Sequence, residues 1–187
     1  MTEVPRRRRV LICGVTFALT VGCGVSVQAH PHELATAATP TATSLAGPVT
    51  RLTNIYLVRG ERVVAAHRPV PDPITLQRTV QALLSGTTRA EAGHGLRSAL
   101  PGSLRLHRVE QTGGTAIVDL TSGLSAVSSQ EQALALAQLV YTVTARPGVR
   151  TLRVLVDGQR VEVARADGTL TNGDLTRGDY QPLLASS

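Results

Sequence analysis

A chain of 187 residues with a hydrophobic fraction of 42% has room for one ordinary domain, and an aromatic fraction of 2% means its core must be built from Ala, Val, Leu and Ile. All 19 basic residues are arginine, and the formal charge of +6 falls to +3, fifteen arginines against twelve acids, once residues 1–22 are set aside as a leader. So small a surplus, spread along the chain without stacking aromatics, argues against a nucleic-acid partner, and two cysteines confined to the N-terminal region exclude a disulfide framework in the domain.

Arg6, Arg7, Arg8 and Arg9, followed by the apolar residues 10–21, have the charged region and short core of an export signal, too short for an ordinary membrane span. The protein is therefore expected outside the cytoplasm. Thr20-Val21-Gly22-Cys23 resembles a bacterial lipobox, with Thr20 departing from the preferred leucine, whereas Val27-Gln28-Ala29 resembles an ordinary signal-peptidase site. Cys23 lies directly behind the apolar core and is the favoured site. Its acyl chains, at about 0.8 kcal/mol per buried methylene, would hold the protein on the outer face of the membrane; cleavage after Ala29 would instead secrete it. Residues 23–49 combine this lipidated cysteine with an Ala-, Thr- and Pro-rich tether of disordered composition. His30-Pro31-His32-Glu33 has no further ligand cluster beside it and reads as linker.

The domain is expected over residues 50–164, followed by a tail, 165–187. Residues 54–58 and 62–67 read as two strands about Gly60. Asp72-Pro73 supplies an N-cap and first-turn proline for a helix with Leu76, Val80, Leu83 and Leu84 on one face, ended by Ser85-Gly86. Residues 87–101 read as a loop. A strand from Leu104 to about Glu110 turns at Gly113-Gly114 into one whose Ala116, Val118 and Leu120 share a face. Ser128 and Glu131 form a capping box, each satisfying a free amide of the first turn of the longest helix, whose Ala133, Leu134, Leu136, Ala137, Leu139, Val140, Tyr141 and Val143 predict near-complete burial. Pro147-Gly148 stops it. Leu152, Val154 and Val156 alternate up to the hairpin turn Asp157-Gly158, and residues 160–163 return as the partner strand. This order predicts an α+β single domain, an antiparallel-rich sheet with two helices packed on one face.

Ile55-Tyr56-Leu57-Val58, the arginine before Pro69-Val70, Ala82-Leu83-Leu84-Ser85-Gly86, Ala99-Leu100-Pro101, Val118-Asp119-Leu120, Gln138-Leu139-Val140-Tyr141-Thr142 and Val154-Leu155-Val156-Asp157-Gly158 together resemble the GerMN, or sporulation and spore germination, domain. The resemblance spans roughly residues 50–164. It implies a small extracytoplasmic domain, often found in lipoproteins, with no known catalytic residues and no cofactor; in spore formers such a protein is linked to a ring-like assembly between two membranes.

No nucleophile motif, metal-ligand spacing or phosphate loop is present, so no enzyme is expected. His94, flanked by glycines, is the least implausible catalytic residue, and it reads as a surface histidine, as do His67 and His107 on strands. Asp119 points away from the face of Val118 and Leu120 and reads as a structural or exposed strand-end residue. Arg177-Gly178-Asp179 is a chance triplet, not an adhesion motif. The sequence reading is thus a non-catalytic, membrane-anchored module of the cell envelope that binds another envelope protein or itself, with the bilayer engaged through Cys23. Exposed strand edges and the long helix are its expected surfaces. The alternative is an extracytoplasmic protein that binds a small ligand or a cell-wall fragment, for which only Tyr56, Tyr141 and Tyr180 could supply aromatic platforms.

Overall fold

Alternating apolar residues of the first two strands extend the hairpin further than the sequence predicts: β1 (Thr50–Arg59) and β2 (Arg62–Pro71) are paired antiparallel over ten residues each, about a Gly60 at φ +59°. The computed structural model describes Gly47 and residues 49–186, so Cys23, the arginines 6–9 and His30 and His32 lie outside the described residues. α1 (Leu76–Leu84) is capped by Thr75, whose side chain accepts from the Arg78 amide, three residues beyond the predicted Asp72. The Asp72-Pro73 peptide is cis and precedes the helix. Residues 87–101 are not only loop: Thr88 and Glu91 form a complete capping box that starts the short α2 (Arg89–Gly93).

β3 (Leu106–Thr112) turns through Gly113 and Gly114, both at positive φ, into β4 (Thr115–Leu120), where Ala116, Val118 and Leu120 are buried on one face. α3 (Ser129–Val143) then carries the chain to β5 (Thr151–Val156), which pairs parallel to β4. The Asp157-Gly158 turn has both residues at positive φ, as a tight hairpin turn requires, but the return strand β6 is only Gln159–Arg160. Val163 belongs instead to β7 (Val163–Ala164), paired with β8 (Leu170–Thr171). The fold is α+β and antiparallel-rich, as predicted. In place of one sheet there are three separate ladders, β1-β2, β3-β4-β5-β6 and β7-β8.

α3 is the centre of the packing. Every residue from Ala133 to Val143 is buried, and the helix lies against β1, β2, β5, β7 and α1. The apolar stripe is thus spent on the core, and only the first turn, Ser129 to Gln132, is exposed or half-buried. Its capping box is half made: Ser128 accepts from the Glu131 amide, while the Glu131 carboxylate leaves the helix to take the Arg97 guanidinium at 2.6 Å. An ion pair to a distant loop replaces the local bond.

The residues expected as a tail are part of the domain. Leu175 forms a bridge with Leu152 in both backbone directions, and Tyr180 is fully buried with its hydroxyl donating to the Ala164 carbonyl at 2.9 Å. Arg153 holds Asp174 through two nitrogens, at 2.6 and 2.9 Å. A 3₁₀ segment, Gly178–Leu183, then delivers Leu184 to a parallel bridge with Val63. Short apolar residues separated by polar ones gave this region no periodicity to read. Tyr180→Phe should cost about 1–3 kcal/mol by leaving the buried Ala164 carbonyl unpaired, measured as a lowered urea midpoint at unchanged slope.

Candidate functional site

Backbone groups left over by the β1-β2 hairpin decide which of its surfaces are open. Tyr56 N–H donates to Thr142 Oγ1 at 2.9 Å and Tyr56 C=O accepts from Gln138 Nε2 at 2.9 Å, so two polar residues one turn apart on α3 close that stretch of the β1 edge. Gln138 Oε1 also accepts from the Ala99 amide at 2.6 Å. Val58 exchanges both backbone bonds with Arg97, each 2.8 Å. On β2, among the described residues, the edge is occupied at Val63, whose carbonyl accepts from Ala185 at 3.0 Å.

A second polar cluster gathers around one buried arginine. Arg68, 6% exposed, sits between the end of α1 and the start of α2: its Nε donates to Glu91 Oε1 at 3.1 Å, Nη2 donates to Glu91 Oε2 and to the Gly86 carbonyl, and Nη1 donates to the Ala82 carbonyl and to Ser85 Oγ. Burial of Glu91 opposes its ionisation, yet bonds from Arg68 and the Thr88 amide together hold its carboxyl below the ordinary 4.5. With its donors committed to Glu91, Ser85 and helix-terminal carbonyls, Arg68 is structural.

The histidines are dispersed. His94 is the exposed C-cap of α2, His67 is exposed on β2, and exposed His107 lies 2.9 Å from Asp157 of the β5-β6 turn, so among the described residues no histidine ring is hydrogen-bonded to a hydroxyl. Asp119 is buried, not exposed, and accepts from the Gly158 amide at 2.9 Å, bracing that turn; of its two sequence readings the structural one holds. Asp179 of the Arg-Gly-Asp triplet is tied to Thr176 and lies 2.9 Å from Arg165, inside the 3₁₀ segment. Among the described residues no three His, Cys, Asp or Glu side chains converge as metal ligands, and no helix is long and apolar enough to cross a membrane.

The remaining arrangement joins a buried and a half-buried tyrosine to an exposed arginine. Tyr56 and Tyr141 rings lie 5.3 Å apart, and the Arg177 guanidinium sits over both, 5.9 Å from the Tyr56 centroid and 5.1 Å from that of Tyr141. Arg177 Nε donates to Thr144 Oγ1 at 2.7 Å and Nη2 to the Tyr141 carbonyl at 3.3 Å. Burial pushes the Tyr141 phenol upward against the pull of Arg177, and its hydroxyl donates to the Arg177 carbonyl at 3.2 Å. Two concavities of about 220 and 250 Å³ meet at Leu184, one reaching Arg177 and Gln181, the other running over Tyr56 and Ala65. A larger one, about 460 Å³, lies where the end of α1 faces the start of β3, but its only charged side chain, Arg105, donates to the Gly102 and Leu104 carbonyls. We take the Tyr56–Arg177 groove as the candidate site. Sequence reading singled out these tyrosines, but Arg177 fell in the supposed tail.

Residues 35–162 match the family described as Germane, sporulation and spore germination. The fold is similar to a structure of the tandem GerMN domains of the sporulation protein GerM from Bacillus subtilis, with a TM-score of 0.57 and 17% identity over 73% of this chain and 50% of that one. It is also similar to the first GerMN domain of the same protein, with a TM-score of 0.53 and 19% identity over 69% of this chain and 99% of that one. The chain thus spans half the length of the tandem structure and nearly all of the single domain. No curated protein matches it.

Proposed function

We propose, from the premise that this chain belongs to the sporulation and spore germination family, that it is a non-catalytic extracytoplasmic binding module of the cell envelope. The observation that carries this reading is the Tyr56–Arg177 groove, where an exposed guanidinium is held over a half-buried and a buried tyrosine ring beside two open concavities. Cys23 would carry the lipid, residues 24–49 would space the domain from the bilayer, and the domain would extend to the end of the 3₁₀ segment and beyond to Ser186. The partner is an envelope protein or a second copy. A cell-wall glycan finds less support, because an apolar groove lined by Val63, Ala65 and Leu184 offers few partners for sugar hydroxyls.

The test is mild crosslinking in cells, affinity purification of the tagged chain and mass spectrometry, with Cys23→Ala in parallel. A single envelope protein or self-crosslink through residues around Tyr56, lost when Cys23→Ala releases the chain from the membrane, is the expected result. Release of both forms with no crosslink would remove the lipid anchor and the partner together.

A further inference from the structure

We infer that the Tyr56–Arg177 groove binds a carboxylate carried on a peptide, an acidic side chain or chain terminus whose apolar neighbours lie over Ala65 and Leu184. This deepens the binding-module reading and rests on it. Six of the arginines among the described residues, 51, 68, 97, 108, 153 and 165, lie beside a carboxylate; Arg177 does not. Of its five N–H donors, Nε serves Thr144 and one N–H of Nη2 serves the Tyr141 carbonyl. Both N–H groups of Nη1 and one of Nη2 make no bond to the described residues. That is the end-on fork that matches the two oxygens of a carboxylate.

The guanidinium is also preorganised. Two tyrosine rings beneath it and two hydrogen bonds on its inner side fix its plane, so little side-chain freedom remains to be lost when an anion arrives. The rest of the groove favours a peptide. Its floor and wall are Tyr56, Ala65 and Leu184, and the β2 edge beside it has already accepted an extended segment of this chain, Leu184–Ala185, at Val63. By the register, Ala65 and His67 turn their backbone N–H and C=O the same way as Val63, away from β1; the parallel bridge at Val63 carries Ala185 and Ser186 toward Ala65, so it is at His67, beyond them, that a ligand backbone can bond the edge.

The experiment titrates the full chain in detergent micelles with an array of capped tri- to pentapeptides made in matched pairs, each carboxylate beside its amide. Carboxylate members should bind about tenfold more tightly than their amides, as one charge-assisted fork provides. Arg177→Gln should abolish that difference and Arg177→Lys should restore part of it. Because Arg177 also tethers the 3₁₀ segment, Ala65→Phe provides the control: it fills the groove floor from an exposed strand position, leaves the tether intact, and should weaken every member. Equal binding of acids and amides, binding that survives both Arg177→Gln and Ala65→Phe, or no binding by any member would each overturn the proposal. Crosslinks at Tyr56 in cells together with equal acid and amide binding would refute the carboxylate alone and leave the module standing.

Discussion

Arg68→Ala is expected to lower the stability of the domain by about 3–5 kcal/mol, because it leaves the largely covered Glu91 carboxylate, 12% exposed, without its counter-charge and uncaps the end of α1. For a domain of this size that corresponds to a fall of about 10–20 °C in melting temperature, read by calorimetry or circular dichroism. Arg68→Ala combined with Glu91→Ala should recover part of the loss, since the stranded charge is then gone. A pH series gives a second readout. The folded Glu91 carboxyl titrates below its ordinary 4.5, so the folded state binds fewer protons than the unfolded one there. Its contribution is full above pH 4.5 and is lost as pH falls through the lower folded value. Glu91→Gln should remove that part of the acid sensitivity.

Gln138→Ala is the second large effect. It strips partners from two buried backbone groups, the Ala99 amide and the Tyr56 carbonyl, at about 1–3 kcal/mol each, and leaves a void inside α3. A loss of about 3–5 kcal/mol in urea unfolding is expected. Thr142→Val should cost less, about 1–3 kcal/mol, because it releases only the Tyr56 amide and keeps the volume. Hydrogen exchange at Tyr56 in both variants checks that the β1 edge is what has been opened.

What the sequence disclosed was local. The Ser128 cap, the burial of Ala133 to Val143, the Asp157-Gly158 turn and the shared face of Ala116, Val118 and Leu120 each follow from residues a few positions apart, and each is present. What it concealed was long-range. The Glu131 carboxylate leaves the Ser128 amide for Arg97, 34 positions earlier, and Arg68 is buried where Glu91 and the end of α1 converge on it. The Thr88-x-x-Glu91 box has no apolar run behind it: of the five residues of α2 only Glu91 is partly covered, and the other four are exposed. Similarly, Asp72-Pro73 offered a stronger helix signal than Thr75, yet it is the Thr75 side chain that takes the Arg78 amide and the helix begins at Leu76. The candidate site combined both cases. Its tyrosines stood out by rarity, while Arg177 gained meaning only once Leu175 and Tyr180 had anchored the segment around it.

The closure of β1 by α3 also sets the order in which the chain can mature. Tyr56 meets Thr142 across 86 positions and Gln138 across 82, and Ala185 reaches back to Val63 from the far end of the domain. A chain delivered N-terminus first therefore presents a hairpin whose β1 rim stays open at Tyr56 until about two-thirds of the domain has followed, and whose β2 rim waits at Val63 for Ala185. During that interval the β1 rim can pair with any passing strand, which makes α3 an internal chaperone for the hairpin as well as its core. Truncation ahead of Gln138 should yield not a smaller module but a sticky one.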